Sequence, residues 1–148
     1  RVERMGRRYE SKRDLDNEQE IASFLSQAWG CKFIKLEAFR WRVDFLLCGP
    51  NEKFAWLEVK TANIKFGSLP FIISYKKIEA ARALSKTSGY KFILIYRCKD
   101  ALAYHVWDFD KKYKFEFGGR NTTVRDPQDI EPVFRIDPKD CHKLEGFK

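Results

Sequence analysis

The sequence has no apolar run long enough to cross a bilayer, which takes about 20 residues. The longest, Phe92 to Tyr96, has the length of one buried strand. A membrane-spanning chain is therefore excluded, and no membrane partner is expected. The start is polar and basic, unlike a secretory leader, so a cytoplasmic protein is expected. The first residue is Arg1 rather than Met, which accords with a trimmed start or a residual tag. A Cys-x-x-Cys pair is also missing. The four cysteines stand at 31, 48, 98 and 141, which argues against a zinc ribbon or a thioredoxin-like motif. Cys31, Cys48 and Cys98 have apolar neighbours in sequence, as buried reduced thiols do. Cys141 and His142 could ligate a metal but lack a second pair. Asn121-Thr122-Thr123 has the pattern of a glycosylation acceptor, without the secretory signal that would make it one. There is no internal repeat and no low-complexity tract.

What is present is a core-forming composition. Thirteen Phe and four Trp in 148 residues argue against disorder. The length suits one domain. The 29 basic residues outnumber the 21 acidic ones, for a net charge of +8. That excess favours a polyanionic partner, most often nucleic acid.

Residues 1 to 13 are rich in Arg and Lys without apolar periodicity, and read as a basic N-terminal arm. Residues 14 to 109 carry the patterned core. Ile21, Phe24, Leu25 and Ala28 repeat at helical spacing between Asp14 and Trp29, with acids in the first turns and Gly30 as terminator. Strands are expected over Lys32 to Leu36, Val43 to Cys48 and Phe54 to Lys60. Gly49-Pro50-Asn51 is turn chemistry, so the last two strands should form an antiparallel hairpin. Residues 61 to 73 read as irregular. Ser74 caps a helix running to about Ser88, and Gly89 stops it. Strands at Lys91 to Tyr96 and Ala101 to Trp107 follow. This order predicts an α/β fold with a mixed central sheet and helices on its faces. Residues 110 to 148 read as a C-terminal extension of the same domain, with one short strand near Tyr113 to Phe117 and a partly ordered tail.

The hairpin carries the chemistry. Side chains alternate along a strand, so Glu58 and Lys60 share one face. A hairpin centred on Asn51 sets Asp44 opposite Glu58, with Cβ atoms about 4.5–5.5 Å apart. Two carboxylates that close repel each other unless a cation lies between them. A hard divalent ion with oxygen ligands, Mg²⁺ or Mn²⁺ in its place, fits that need. Lys60, roughly 7 Å along the same face, can reach a phosphate oxygen or an attacking water. These are the groups that phosphodiester hydrolysis requires.

"RVDFLL", thirteen intervening residues after Asp44, and "WLEVKTAN" together resemble the core of the PD-(D/E)xK nuclease superfamily, with Val43 where the family name has Pro. "EQEIASFLSQAWG" is similar to the leading helix of archaeal-type Holliday junction resolvases. The resemblance covers about residues 15 to 108. It implies a restriction-endonuclease-like fold. It also implies that Asp44, Glu58 and the Val59 carbonyl ligate the metal, that Lys60 acts on the nucleophile or transition state, and that Glu18 is a fourth site residue. Helical geometry separates Glu18 from Glu20 and Asp14 only by a small margin, and Glu20 is the alternative.

Basic groups near these acids are the candidate DNA contacts: Arg40 and Arg42 before the metal strand, Lys65 after it, Lys76 and Lys77 at the second helix, and Arg7, Arg8 and Arg13 in the arm. Trp41 and Phe66 are candidates for stacking on unpaired bases. Phosphate contacts fix position without reading sequence, so little base specificity is expected. The reading is a Mg²⁺-dependent endonuclease of the resolvase kind that cuts branched DNA as a homodimer. The alternatives are a repair- or restriction-type nuclease acting on flaps, nicks or ends, and a non-catalytic DNA-binding module of the same fold.

Overall fold

The structure is a computed structural model, and it describes residues 12–119 and 130–147. Helix α1 spans Lys12–Trp29 and ends on Gly30, whose φ of 64° suits glycine. It starts two residues before Asp14 and so takes in Lys12 and Arg13, which the sequence assigns to the arm. Strand β1 (Lys32–Lys35), a four-residue helix α2 (Ala38–Trp41) and β2 (Phe45–Cys48) follow. A 3-10 turn over Pro50–Glu52 leads into β3 (Phe54–Thr61), and β4 (Phe71–Ser74) into α3 (Tyr75–Ser88). Ser74 caps α3 by accepting a hydrogen bond from the Lys77 N–H, and Gly89 closes it in the left-handed conformation. Then come β5 (Lys91–Arg97), β6 (Leu102–Val106), β7 (Lys114–Gly119), β8 (Ile130–Ile136), a 3-10 turn over Pro138–Asp140 and β9 (His142–Leu144).

Six strands form the main sheet in the order β1-β2-β3-β5-β6-β9. β3 and β5 are parallel and every other pair is antiparallel. The sheet is thus mixed, as expected. A parallel neighbour needs a crossover, and the β4–α3 segment supplies it. One face is covered by α1, whose Ile21, Ala22 and Leu25 pack on Phe45, Leu47, Leu57, Val59 and Ile95. The other face meets Ile78 and Ala81 of α3, packed with Val43, Trp56, Phe92, Leu94 and Tyr96. Burial on both faces explains why β5 reads as continuously apolar.

The main departure from the sequence reading is a second sheet, β4-β8-β7. Residues 71 to 74 form a strand where irregular chain is expected: Phe71 and Ile73 point into the core and Ile72 points out. The C-terminal region is also more ordered than a tail. β8 pairs with both β4 and β7, and β9 extends the main sheet at β6. Pro132 weakens the strand signal of β8, yet it pairs only with Phe117 of β7 and lies beyond the end of β4, so its missing N–H breaks no second ladder.

Candidate active site

The hairpin register is the expected one. Phe45 faces Leu57 and Leu46 faces Trp56, which sets Asp44 opposite Glu58 just before β2 begins. Asp44 lies in a bend but is held on both sides. Its N–H donates to the Leu57 carbonyl (3.1 Å), and its carbonyl accepts from the Leu36 N–H (2.9 Å). Its side-chain Oδ2 accepts from the Val59 N–H at 2.8 Å. Glu58 sits mid-strand and is buried; Glu18, in the second turn of α1, is buried as well.

Lysines meet these acids. Lys60 Nζ lies 3.5 Å from Glu58 Oε2, and Lys77 Nζ lies 3.3 Å from Glu58 Oε1. Lys77 also donates a hydrogen bond to the Arg42 carbonyl. Lys35 Nζ lies 3.0 Å from Glu18 Oε1 and 5.5 Å from the centre of the Phe45 ring. The Asp44 carboxyl is pushed from 3.8 up to about 7. Burial is the main cause, and repulsion from Glu58 and then Glu18 adds to it; the Val59 N–H and Lys35 offset only part. The structure therefore brings Glu18 within electrostatic reach of Asp44. Glu20 faces away: its side chain is 59 % exposed and lies 3.8 Å from Arg97.

The donor set suits a hard cation. Three buried carboxylates and backbone carbonyls offer only oxygen. The raised Asp44 pKa reflects a buried carboxyl with two other acids near it. Glu58 Oε1, fully enclosed, accepts no well-aligned hydrogen bond. Among the described residues no three such side chains are already gathered around one point as metal ligands are; ammonium groups stand against Glu18 and Glu58 instead.

The candidate DNA contacts divide. Arg40, Arg42, Lys65 and Lys76 are exposed, Arg40 being paired with Glu37 at 3.2 Å. Lys77 is turned inward onto Glu58. Phe66 packs against the core and Phe71, whereas Trp41 is half exposed. Arg7 and Arg8 lie outside the described residues. Sequence reasoning missed Lys35 and the inward turn of Lys77. The only trace of Lys35 is its place beside Leu36, which bonds the Asp44 backbone.

The mixed sheet sets an aspartate opposite a glutamate, with a lysine two residues on and a helix acid nearby, the arrangement that the PD-(D/E)xK resemblance implies. The chain belongs to the family described as "Phage putative PDDEXK endonuclease", which matches residues 4–144. Among curated proteins none matches it in sequence. One solved structure it resembles is Hjc, a Holliday junction resolvase from Archaeoglobus fulgidus, at 19% identity and a TM-score of 0.48. The overlap covers 59% of this chain and 66% of that one, just under two thirds of the resolvase. No helix among the described residues is long and apolar enough to cross a membrane.

Proposed function

We propose that the protein is a Mg²⁺-dependent endonuclease that hydrolyses phosphodiester bonds in branched DNA, with Mn²⁺ able to replace Mg²⁺. The observation that carries this reading is the register that sets Asp44 opposite Glu58, both buried, with the Lys60 ammonium 3.5 Å from Glu58. Asp44, Glu58 and the Val59 carbonyl would hold the cation, and Glu18 would act on it or on its water. When bound, such an ion neutralises charge on the phosphate and lowers the pKa of a coordinated water.

The chain's own residues do the rest. Lys60 Nζ stands beside the acids, where it can donate to a phosphate oxygen or orient the attacking water. The Val59 N–H fixes the Asp44 carboxylate in one orientation. Arg40, Arg42, Lys65 and Lys76 offer exposed charge to the DNA backbone, with Arg7 and Arg8 contributing from the arm; such contacts grip without reading sequence. Lys77, on Glu58 as the structure stands, is a further candidate for a phosphate contact. A branch point has two strands to cut, which a symmetric homodimer would serve.

The test is incubation of the folded protein with end-labelled four-way junctions, flaps and linear duplex in Mg²⁺, Mn²⁺, Ca²⁺ or EDTA. Cleavage of branched DNA in Mg²⁺ and Mn²⁺ only is expected. Failure to cut any of these substrates would remove the proposal.

A further inference from the structure

The segment just before Asp44 carries an exposed Trp on a buttressed base. Trp41 ends α2 and is 42% exposed. Its ring stacks on Trp56, with centroids 6.2 Å apart and planes at 24°. Trp56 is buried and immobilised: its Nε1 donates to Ser88 Oγ at 2.9 Å, and its ring also meets Tyr90. Trp56 and Glu58 share a face of β3, roughly 7 Å apart. The shelf that Trp41 forms is therefore next to the acid pocket, on the same side of the sheet.

The shelf is also tied to the pocket. Arg42 adopts a left-handed φ of 68°, which costs a non-glycine residue energy and persists only where the surroundings fix it. The Lys77 ammonium meets both the Arg42 carbonyl and Glu58, which joins the residue after Trp41 to the acid pocket. Arg40 and Arg42 flank Trp41 in the chain, and both are exposed, as is Lys76 beside Lys77. A half-exposed indole with a rigid aromatic behind it and cations beside it is the combination that holds an unpaired base and its phosphates.

We infer that Trp41 is a specificity-determining residue: it stacks on an unpaired base next to the phosphate being cut, so the enzyme favours flaps and bulges over fully paired DNA. This deepens the proposed nuclease reading and rests on it for the cleavage arm of the test. A binding arm is independent of cleavage. Wild type, W41A and W41F are mixed in Ca²⁺ with a flap carrying 2-aminopurine at the unpaired position beside the branch, and with a matched duplex. Wild type should quench the flap probe, W41F should largely do so, and W41A should not. Flap affinity of W41A should fall by about 5-fold to about 140-fold, the range that base–aromatic stacking supplies. Duplex affinity should stay within about twofold. In Mg²⁺, W41A should lose flap cleavage by a similar factor, well beyond its loss on duplex. Equal quenching by W41A, equal losses on flap and duplex, or no flap binding by wild type would each overturn the inference. Probe quenching by wild type without cleavage of any DNA would leave the stacking role standing and remove the nuclease reading.

Discussion

Asp44→Asn should make the metal-free protein more stable, by an amount that depends on pH. In the folded chain the Asp44 carboxyl titrates near 7, against 3.8 for an ordinary aspartate. Between those two values the folded state holds a proton that the unfolded state has released. Stability therefore falls as pH rises from about 4 to about 7 and levels off above. At 1.36 kcal/mol per pKa unit, the whole effect is about 4 kcal/mol. Asparagine does not titrate, keeps the shape and still accepts from the Val59 N–H, whose help to the charged carboxylate is already included in the net shift. The variant should thus gain about 4 kcal/mol at pH 8, or about 8–16 °C in Tm, and little at pH 4. Thermal melts followed by circular dichroism in EDTA from pH 4 to 8 measure this. An advantage that is flat across that range, or absent at pH 8, would refute the account of Asp44 as a buried, crowded carboxylate. Adding Mg²⁺ at pH 8 should stabilise wild type and not the variant, because an ion that binds only the folded state raises its stability.

Glu58→Gln should abolish cleavage while leaving DNA binding intact or tighter, since it removes a negative charge facing phosphate; gel shifts in Ca²⁺ beside cleavage gels in Mg²⁺ report both. Lys60→Ala should slow single-turnover cleavage by about 10²–10³, the worth of one electrostatic contact at a developing charge, with melting little changed because its side chain is 43% exposed. Ser74→Ala removes the cap of α3 and should cost about 1 kcal/mol in urea unfolding, with cleavage affected only as far as Lys77 and Arg42 shift.

The parts legible in sequence were those set by local rules. The Gly49-Pro50-Asn51 turn fixed the hairpin, and alternation along β3 then put Trp56, Glu58 and Lys60 on one face. Ser74 and Gly89 marked the ends of α3. The second sheet was hidden because β4 has only four residues and β8 contains Pro132, so neither carries a long alternating pattern. The pairing of Lys35 with Glu18 and of Lys77 with Glu58 depends on how α1 and α3 dock on the sheet, which no spacing along the chain encodes. The left-handed Arg42, whose carbonyl accepts from Lys77, likewise has no signal in the local sequence.

The acid and the lysine of β3 stand on backbone paired with β5 at Leu94 and Tyr96; on the other side the β2 ladder ends at Leu57, and the Val59 N–H goes to the Asp44 side chain. The Trp41–Arg42 corner, by contrast, stands at the rim on a single turn of helix. In the proposed reading, chemistry and substrate choice rest on different elements, joined through the Lys77 contact. In that reading, residues at the rim can be exchanged to suit another DNA shape while Glu58 and Lys60 keep their places on the strand.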